Sequence, residues 1–454
     1  MNGVSSYPES IVAIATPSGY GGVGIVRISG SLAKQISVSI TEKSLIPRQA
    51  TFCYFKNQQQ QVIDHGIALF FSAPNSFTGE DVLELQGHGG PVVMALLVKE
   101  ILSQGCRLAR PGEFSERAFL NDKMDLTQAE AVADLIHAST EQAAKSAMRS
   151  LNGDFSDVIH QFNQKIIYLR TYIEASLDFS DEEIDFMQDQ QIKTLLDEIT
   201  HQLDYLMKNS QQGVLMNHGV QLAIVGRPNA GKSSLLNCLA QNNSAIVTDI
   251  PGTTRDILKE NIQIDGLPIN LLDTAGLRVS NNIVEQEGIK RTWDAINKSD
   301  NIFYVLDDEH YGDEIQSDFF KQVLTHVNVT LIRNKIDKTN KNPGVSTGEF
   351  AEEIAISVKN HSGIDTLKDF IKNKFGFSST VAETSFSART RHVDLLKNVD
   401  EIIKKGIQHF NRTSSAELLA EDLRQTHQLL GEMTGEYTSD DLLGNIFSSF
   451  CIGK

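Results

Sequence analysis

Apolar residues follow two different spacings along the chain, and the changes between them mark its organisation. Residues 1 to about 120 alternate short apolar runs, such as Ile11–Thr16, with turn residues and one mainly apolar helical stretch, Gly90–Leu102. The glycine-rich stretch Pro17–Gly24 is predicted to be a loop before a strand at Ile25–Ile28. Apolar runs of strand length bounded by turn residues predict a compact α+β unit.

Helical spacing begins at Phe114. Helices are predicted at Asp125–Ile136, Phe155–Leu177, Gln191–Met207, Ala388–Phe410, Ser414–Met433 and Ser439–Phe450. Thr127 with Glu130 fits an N-terminal capping box for the first of them. Between the third and fourth helices, strand-length apolar runs alternate with helical stretches, as in an α/β domain. The simplest architecture inserts this α/β domain into one helical domain, because insertion succeeds where the two ends of the inserted part lie close together.

Composition and charge exclude several classes of protein. The 454 residues include 41 basic and 58 acidic side chains, so the formal net charge is −17 and any RNA contact must use a local basic face or a partner protein. The four cysteines are scattered without a Cys-x-x-Cys pair, which argues against a metal cage or a disulfide framework. The sequence shows neither a signal-peptide pattern nor an apolar run near the roughly 20 residues of a membrane span. We expect a cytoplasmic protein of two or three domains.

A glycine-rich segment near the middle of the chain predicts a phosphate-binding loop. The sequence Gly226-Arg-Pro-Asn-Ala-Gly-Lys-Ser233 follows the apolar run Val220–Val225 and precedes a helical stretch, Ser234–Ala240. Strand, Gly-x-x-x-x-Gly-Lys-Ser and helix are the required context for this loop. Its backbone N–H groups and the helix start favour phosphate. Lys232 can reach the β- and γ-phosphates, and Ser233 can bind Mg²⁺.

Three further segments follow in the order expected of a GTPase. Asp273 to Gly276 ends an apolar strand with a carboxylate near Mg²⁺ and a glycine N–H for the γ-phosphate. Asn334-Lys335-Ile336-Asp337 ends the next strand, and its last carboxylate can accept two N–H bonds from guanine that adenine lacks. Ser357-Val358-Lys359 offers backbone N–H groups to the guanine carbonyl. Together with the loop, these segments predict GTP as the nucleotide.

The catalytic water has no obvious glutamine to orient it. Gly252 to Asp256 is expected to be a mobile switch with a threonine hydroxyl for Mg²⁺. Many GTPases place glutamine directly after Asp-x-x-Gly, but this chain has Leu277, which cannot polarise water. Another group must therefore orient the water.

Three other clusters have a simpler explanation than a binding site. The four glycines between Gly19 and Gly24 lack a following Lys-Ser and precede a strand, so a nucleotide site there is not expected. The acidic residues between Asp178 and Asp189 fit a solvated connector better than a metal site. The basic residues of the first returning helix fit a solvated face better than an RNA contact; they are Arg389, Arg391, Lys397, Lys404 and Lys405.

The chain resembles the bacterial tRNA-modification GTPase family called MnmE or TrmE over its full length. The GTPase motifs alone mark only the superfamily. The family is marked by Ala15–Gly24, Phe77-Thr-Gly-Glu-Asp81, Pro111–Ser115, Asp125–Ala131 and the ending Cys451-Ile-Gly-Lys454. The resemblance implies a multidomain α/β protein with an N-terminal α+β folate-binding-like domain, an α-helical domain formed by two chain segments, and an inserted Ras-like P-loop GTPase domain. The boundaries expected are 1–120, 121–216, 217–380 and 381–454.

The resemblance also implies the chemistry and the partners. It implies a homodimer through the N-terminal domain, a flavoprotein partner MnmG (GidA), and tRNA whose wobble uridine is modified at C5 to an aminomethyl or carboxymethylaminomethyl product. The one-carbon donor would be 5-formyl- or 5,10-methylene-tetrahydrofolate. It would lie at positions matching Arg27, Glu84, Lys123 and Lys454. Cys451 is either a nucleophile near that donor or a packing residue.

For the GTPase, the resemblance implies K⁺ beside the phosphates and implies which residues bind the metal ions. K⁺ is expected at Asn229, Thr248, Ile250 and Thr253, and Mg²⁺ at Ser233 and Thr254. Glu285 would position the catalytic water, so the expected catalytic residues are Glu285, Lys232 and Thr254. The full GTP-binding set is Asn229, Ala230, Gly231, Lys232, Ser233, Ser234, Thr248, Thr253, Thr254, Asp273, Gly276, Asn334, Lys335, Asp337, Ser357 and Lys359.

Two other functions share every GTPase motif. One is a GTP-switched RNA or ribosome assembly factor without covalent chemistry, although this acidic chain carries no recognisable RNA-binding appendage. The other is a folate-sensing scaffold that only hydrolyses GTP while MnmG performs the uridine chemistry.

Overall fold

The structure is a computed structural model that describes residues 9–178, 190–241, 259–273, 293, 296–325, 328–413, 415–437 and 439–453. Its contacts divide the chain into two compact units. The first unit comprises Met1–Ala133, Leu151–Met187 and Lys405–Lys454, and the second comprises Asp134–Ser150 and Gln188–Lys404. The domain boundaries expected from sequence group the residues differently and remain predictions.

The first unit contains a six-stranded sheet. Its strand order is β3-β4-β5-β2-β1-β6, antiparallel except for the β1–β6 pair. The apolar side chains of one face, among them Val26, Ile28 and Leu85, pack with the helices Ala33–Thr41 and Pro91–Ser103. The strand bounds are β1 Ile11–Ile14, β2 Gly21–Ser29, β3 Thr51–Lys56, β4 Val62–Phe71, β5 Val82–Gly89 and β6 Arg107–Leu108.

Two sequence predictions for this unit need correction. Strand β2 begins at Gly21, inside the stretch predicted to be a loop, and Gly21 and Gly24 pair with Gly89 and Gly87 of β5. The two strands approach closely there, because a side chain at Gly24 or at Gly89 would overlap the backbone of the other strand. The helix at Leu126 is capped by Asp125 and not by Thr127. The Asp125 carboxylate accepts from the Gln128 N–H at 2.9 Å and from the Thr127 hydroxyl at 2.7 Å. A carboxylate one position before the helix satisfies the free N–H groups directly.

The helix Asp154–Asp178 of the first unit buries an apolar stripe along one face. In this helix, residues 155, 162, 166, 169 and 173 are buried, at the spacing of one helix face. This helix packs along the helix Ala416–Thr434. Within the described residues, this unit also contains the helices Glu113–Leu120 and Asp440–Ser448, whereas the residues of Leu126–His137, Glu141–Asn152 and Thr390–Thr413 are divided between the two units.

A largely buried ion network stabilises the first unit. Arg117 and Glu113 are both fully buried and lie 3.0 Å apart, and Arg117 also binds Glu80 at 2.9 Å. Arg107 donates two hydrogen bonds to Glu113. Burial opposes ionisation of Glu113, but the bonds from Arg107, the Arg110 N–H and Arg117 outweigh it and lower the pKa from 4.5 to about 2.

Replacing Glu113 by glutamine is expected to destabilise the protein by about 3 to 5 kcal/mol, because the buried Arg117 guanidinium and the partly exposed Arg107 guanidinium lose a buried carboxylate partner. Since the folded pKa is the lower one, the native carboxylate stabilises the fold above pH 4.5 and this contribution disappears as the pH falls towards about 2. Thermal unfolding from pH 6 downwards measures both effects. Glu421→Gln, at an exposed pair with Arg424, is the control, and an equal loss of stability in both variants would contradict the prediction.

The second unit contains a seven-stranded sheet in the order β12-β13-β11-β10-β7-β9-β8. The five inner strands are parallel, and the edge strands β8 and β12 are antiparallel to their neighbours. Strand β10 is buried along nearly its whole length, as expected of a central parallel strand. The bounds are β7 Val220–Val225, β8 Lys259–Ile264, β9 Leu267–Asp273, β10 Asn301–Asp307, β11 Val329–Asn334, β12 Gly344–Thr347 and β13 Glu352–Ala355.

A long helix leads into this sheet, and the chain returns beside it. The helix Gln190–His218 ends one residue before β7. Its Gln212 side chain donates to the Gly376 carbonyl at 2.6 Å and accepts from the Ser378 N–H at 3.0 Å. The two ends of the α/β segment are therefore held close together. Further helices in the described part of this unit are Lys232–Gln241, Tyr311–Ile315, Asp318–Val323, Ile336–Thr339, Ile364–Lys374 and Ser379–Thr384, with a 3₁₀ turn at Asp308–His310.

Among the helices that the structure describes, none combines the length and the apolar character that crossing a bilayer requires.

Candidate nucleotide-binding site

The phosphate loop connects β7 to the helix Lys232–Gln241, at the carboxyl end of the parallel strands. Gly226 and Gly231 have positive φ angles of 139° and 101°. A side chain at Gly226 would overlap the Val305 carbonyl oxygen, and one at Gly231 would overlap the Asn334 amide nitrogen. Glycine is therefore required at both positions, and the loop can curl closely over the sheet.

Lys232 lies folded over this loop. Its ammonium group donates to the Gly226 carbonyl at 2.7 Å and to the Arg227 carbonyl at 2.9 Å. Ser233 and Ser234 follow on the first helical turn and are exposed. The N–H groups of that turn lack partners within the helix, so they add positive charge where a phosphate would bind.

The base-reading residues are fastened to the phosphate loop. The Asn334 side chain donates to the Ala230 carbonyl at 2.9 Å and accepts from the N–H groups of Lys335 and Val358. Lys335 donates to the Asn229 carbonyl at 2.7 Å. The loop predicted to hold phosphate and the loop predicted to read the base are therefore joined by hydrogen bonds.

Asp337 is oriented by Ser357. The Ser357 hydroxyl donates to one oxygen of the Asp337 carboxylate at 2.6 Å. Ser357 is itself fixed, because its backbone exchanges two hydrogen bonds with Ser362. Lys359 is exposed at the tip of this turn. The second carboxylate oxygen of Asp337 is thereby positioned as an acceptor for a base.

Sequence reasoning missed Asp307, which supports this arrangement. Asp307 ends β10 and accepts from Lys335 at 2.8 Å. Burial opposes ionisation, but the hydrogen bond from Lys335 and the Glu309 N–H lower the pKa of Asp307. The sequence did offer a signal for Asp307, because this carboxylate directly ends an apolar run of strand length.

Several predicted site residues lie outside the described part of the chain. They are Thr248, Ile250, Thr253, Thr254, Gly276 and Glu285, together with the switch and Leu277. Asp273 ends β9 as predicted, but its side chain is outside the described part. The roles expected of these residues remain predictions, and so does the interpretation of the acidic residues 178–189.

In the first unit, two of the four residues expected at the folate site lie in contact with each other. Arg27 on β2 lies opposite Glu84 on β5, and the two side chains are 2.9 Å apart. Arg27 also donates to the Gly453 carbonyl at 3.1 Å, and its guanidinium lies 5.7 Å from the centre of the Phe77 ring. Lys123 donates to the Pro74 carbonyl at 3.0 Å. Lys454 is outside the described part of the chain, and Cys451 is exposed.

The basic residues of the helix Thr390–Thr413 are largely neutralised by neighbouring acids. Arg389, just before it, binds Asp134 at 2.8 Å. Lys397 and Lys404 bind Asp394 and Asp400 at 3.0 and 2.7 Å. These pairs support the solvated-face interpretation over an RNA contact.

A glycine-rich loop after a central parallel strand, joined to Asn-Lys-x-Asp at the end of a neighbouring strand, defines this protein as a P-loop GTPase. The chain matches two family descriptions, "GTP-binding protein TrmE N-terminus" over residues 10–123 and "MnmE helical domain" over residues 126–451. It therefore belongs to the tRNA modification GTPase MnmE family.

Relatives from several bacteria are similar in sequence over 98% of this chain. The tRNA modification GTPase MnmE of Actinobacillus succinogenes is 51% identical over 451 residues, covering 98% of this chain and 100% of its own. That of Hydrogenovibrio crunogenus is 52% identical over 447 residues, covering 98% and 99%. A solved GTP-binding protein from Sulfolobus solfataricus covers 47% of this chain and 67% of its own at 20% identity, but its TM-score of 0.26 is too low to support an argument.

Proposed function

We propose that this GTP hydrolase acts with MnmG on tRNA, to add an aminomethyl or carboxymethylaminomethyl group to C5 of the wobble uridine. The observation that carries the proposal is the presence, on one chain of this family, of a guanine-nucleotide site and a separate polar site at Arg27 and Glu84. The first site supplies a GTP-driven step, and the second suits a one-carbon donor. The homodimer through the N-terminal domain is part of the same proposal.

The nucleotide residues divide their roles according to their contacts. Lys232 and the loop N–H groups would hold the phosphates, Asp337 would accept from guanine, and Asn334 would keep the two loops in register. Ser233 and Thr254 are the proposed Mg²⁺ ligands. Phosphoryl transfer requires chiefly positioning and charge neutralisation, which these groups supply.

Asn229 is suited to hold K⁺. It occupies the left-handed region, with φ of 64°, is exposed, and makes no side-chain hydrogen bond within the described residues. Its amide oxygen can therefore serve as a cation ligand, with Thr248, Ile250 and Thr253 as the proposed others. A bound K⁺ would neutralise charge on the phosphate oxygens, the task left open by Leu277. Glu285 would position the water.

We propose that ordering of the switch by K⁺ lets the GTPase domains of two chains pair across the homodimer. Two observations support this pairing: the exposed Asn229 side chain makes no hydrogen bond within the described residues, and no glutamine follows Asp-x-x-Gly. Such pairing would couple GTP hydrolysis to the state of the complex.

Arg27 and Glu84 fit a tetrahydrofolate derivative. A carboxylate can accept from pterin N–H groups, a guanidinium can bind a glutamate carboxylate, and the partly exposed Phe77 ring adds an apolar surface. Lys123 and Lys454 complete the proposed set. When bound, the folate supplies the one-carbon unit.

Mass analysis of wobble uridine tests the proposal. Deletion of this chain is expected to leave C5 of the uridine unmodified, and a variant with Arg27→Gln is expected to do the same while hydrolysing GTP normally. Normal modification after the deletion would favour the assembly-factor alternative. Loss of modification in the deletion with full activity in Arg27→Gln would leave the folate site unsupported.

Replacing Cys451 by serine is expected to leave GTP turnover unchanged, because none of the nucleotide-site contacts involves this residue. The thiol is exposed, so both an accessible nucleophile and a packing role near the folate remain open. The extent of uridine modification by the variant together with MnmG distinguishes these two roles. Full modification would rule out a role of the Cys451 thiol as a nucleophile. A fall in GTP turnover would contradict the prediction.

A further inference from the structure

The side chain of Arg227, the second residue of the phosphate loop, forms an ion pair that the loop motif does not require. Its Nε atom lies 2.6 Å from a carboxylate oxygen of Glu314, in the short helix Tyr311–Ile315. The Glu314 side chain is 5% exposed, whereas that of Arg227 is 53% exposed. A buried carboxylate thus meets a cation from the edge of the phosphate loop.

Glu314 is fixed from its other side by Tyr304. The Tyr304 hydroxyl donates to the second carboxylate oxygen of Glu314, and Tyr304 is fully buried in β10. Burial and the adjacent Glu314 raise the pKa of Tyr304, so the hydroxyl stays protonated and remains a donor at neutral pH. The chain Tyr304–Glu314–Arg227 therefore connects the centre of the sheet to the loop.

The backbone that this pair holds is the backbone that Lys232 contacts. The Lys232 ammonium donates to the carbonyls of Gly226 and Arg227. Gly226 packs against the Val305 carbonyl, one residue after Tyr304. On the other side of the loop, Lys335 and Asn334 hold the carbonyls of Asn229 and Ala230. The loop is thus fastened at both ends.

We propose that Arg227 is a positioning residue for GTP hydrolysis, acting through Glu314 to fix the phosphate loop and the Lys232 ammonium. Arg227 touches no reacting atom in this role. Loss of the ion pair would let the first half of the loop shift away from the phosphates. The base-reading end, held by Asn334 and Lys335, would stay in place.

The test compares full-length Arg227→Gln, Glu314→Gln and the double variant. Affinity for GDP, measured by calorimetry well below the unfolding midpoint, is expected to fall about tenfold in each single variant. The double variant is expected to lose no more than either single one, because the two residues act as a unit. GTP turnover falls as well, while preference for GTP over xanthosine triphosphate is retained. Arg227→Lys is expected to recover part of the affinity.

Lys372→Gln is the matched control, since Lys372 also pairs with carboxylates in this unit, but those carboxylates, on Asp265 and Asp369, are exposed whereas that of Glu314 is buried. It is expected to bind GDP as the parent protein does. The proposal is overturned if Arg227→Gln binds GDP normally, or if the two single losses multiply in the double variant. It is also overturned if GDP affinity falls only in proportion to a measured unfolded fraction, because the role would then be structural alone.

Discussion

Replacing Asp337 by asparagine is expected to reverse nucleotide preference from GTP to xanthosine triphosphate, by about a hundredfold or more. The carboxylate is proposed to accept two N–H bonds from guanine, and an amide in its place would offer a donor to the xanthine carbonyl instead. The structure favours this change of nucleotide preference without other disturbance of the site. The Ser357 hydroxyl donates to one Asp337 oxygen, so an asparagine can keep that bond and present its NH₂ group to the base.

Turnover of both nucleotides by the parent protein and the variant measures the exchange. Asp365→Asn is the control, because that carboxylate is almost fully exposed in the same unit and is expected to leave preference unchanged. Unchanged preference for GTP in Asp337→Asn would show that another residue reads the base.

Replacing Gly231 by alanine is expected to weaken GTP binding at least about a hundredfold. The added methyl group would overlap the amide nitrogen of Asn334, and φ at this position is 101°, where side chains are strained. The clash would separate the phosphate loop from the Asn334 contact that fastens it to the base-reading loop. Fluorescence titration with a labelled GTP analogue measures the loss.

Gly344→Ala is the matched control for this substitution. Gly344 lies on the edge strand β12 of the same sheet, and a methyl group there meets nothing within 4 Å. Its GTP affinity is expected to equal that of the parent protein. Normal GTP affinity in Gly231→Ala would contradict the packing described for the loop.

The parts of the nucleotide site that could be predicted from sequence are those whose chemistry is local. The phosphate loop needs its glycines and its lysine within eight consecutive residues, and the residues proposed to read the base, Asn334 to Asp337, are four in a row. Because each motif also ends a parallel strand, the sheet edge brings the motifs together without further information. Their contacts, Asn334 with Ala230 and Lys335 with Asn229, agree with this expectation.

The contacts that could not be predicted from the sequence join residues that are far apart along the chain. Arg227 meets Glu314 only because β7 and β10 are neighbours in the sheet. The sequence shows two ordinary charged residues there. Arg27 and Glu84 lie opposite each other through the register of β2 and β5, and only the family resemblance pointed to them. Thr127 fitted the spacing of a cap, but its hydroxyl donates to Asp125, which caps the helix itself.

We propose that a cation at Asn229 takes over the role of the glutamine absent at Leu277. The most direct measurement is GTP turnover in K⁺ and in Na⁺ at equal ionic strength, by the parent protein and by Asn229→Ala. The parent is expected to be at least about tenfold faster in K⁺, and the variant is expected to lose the difference. Equal rates in the two salts for the parent protein would contradict the claim.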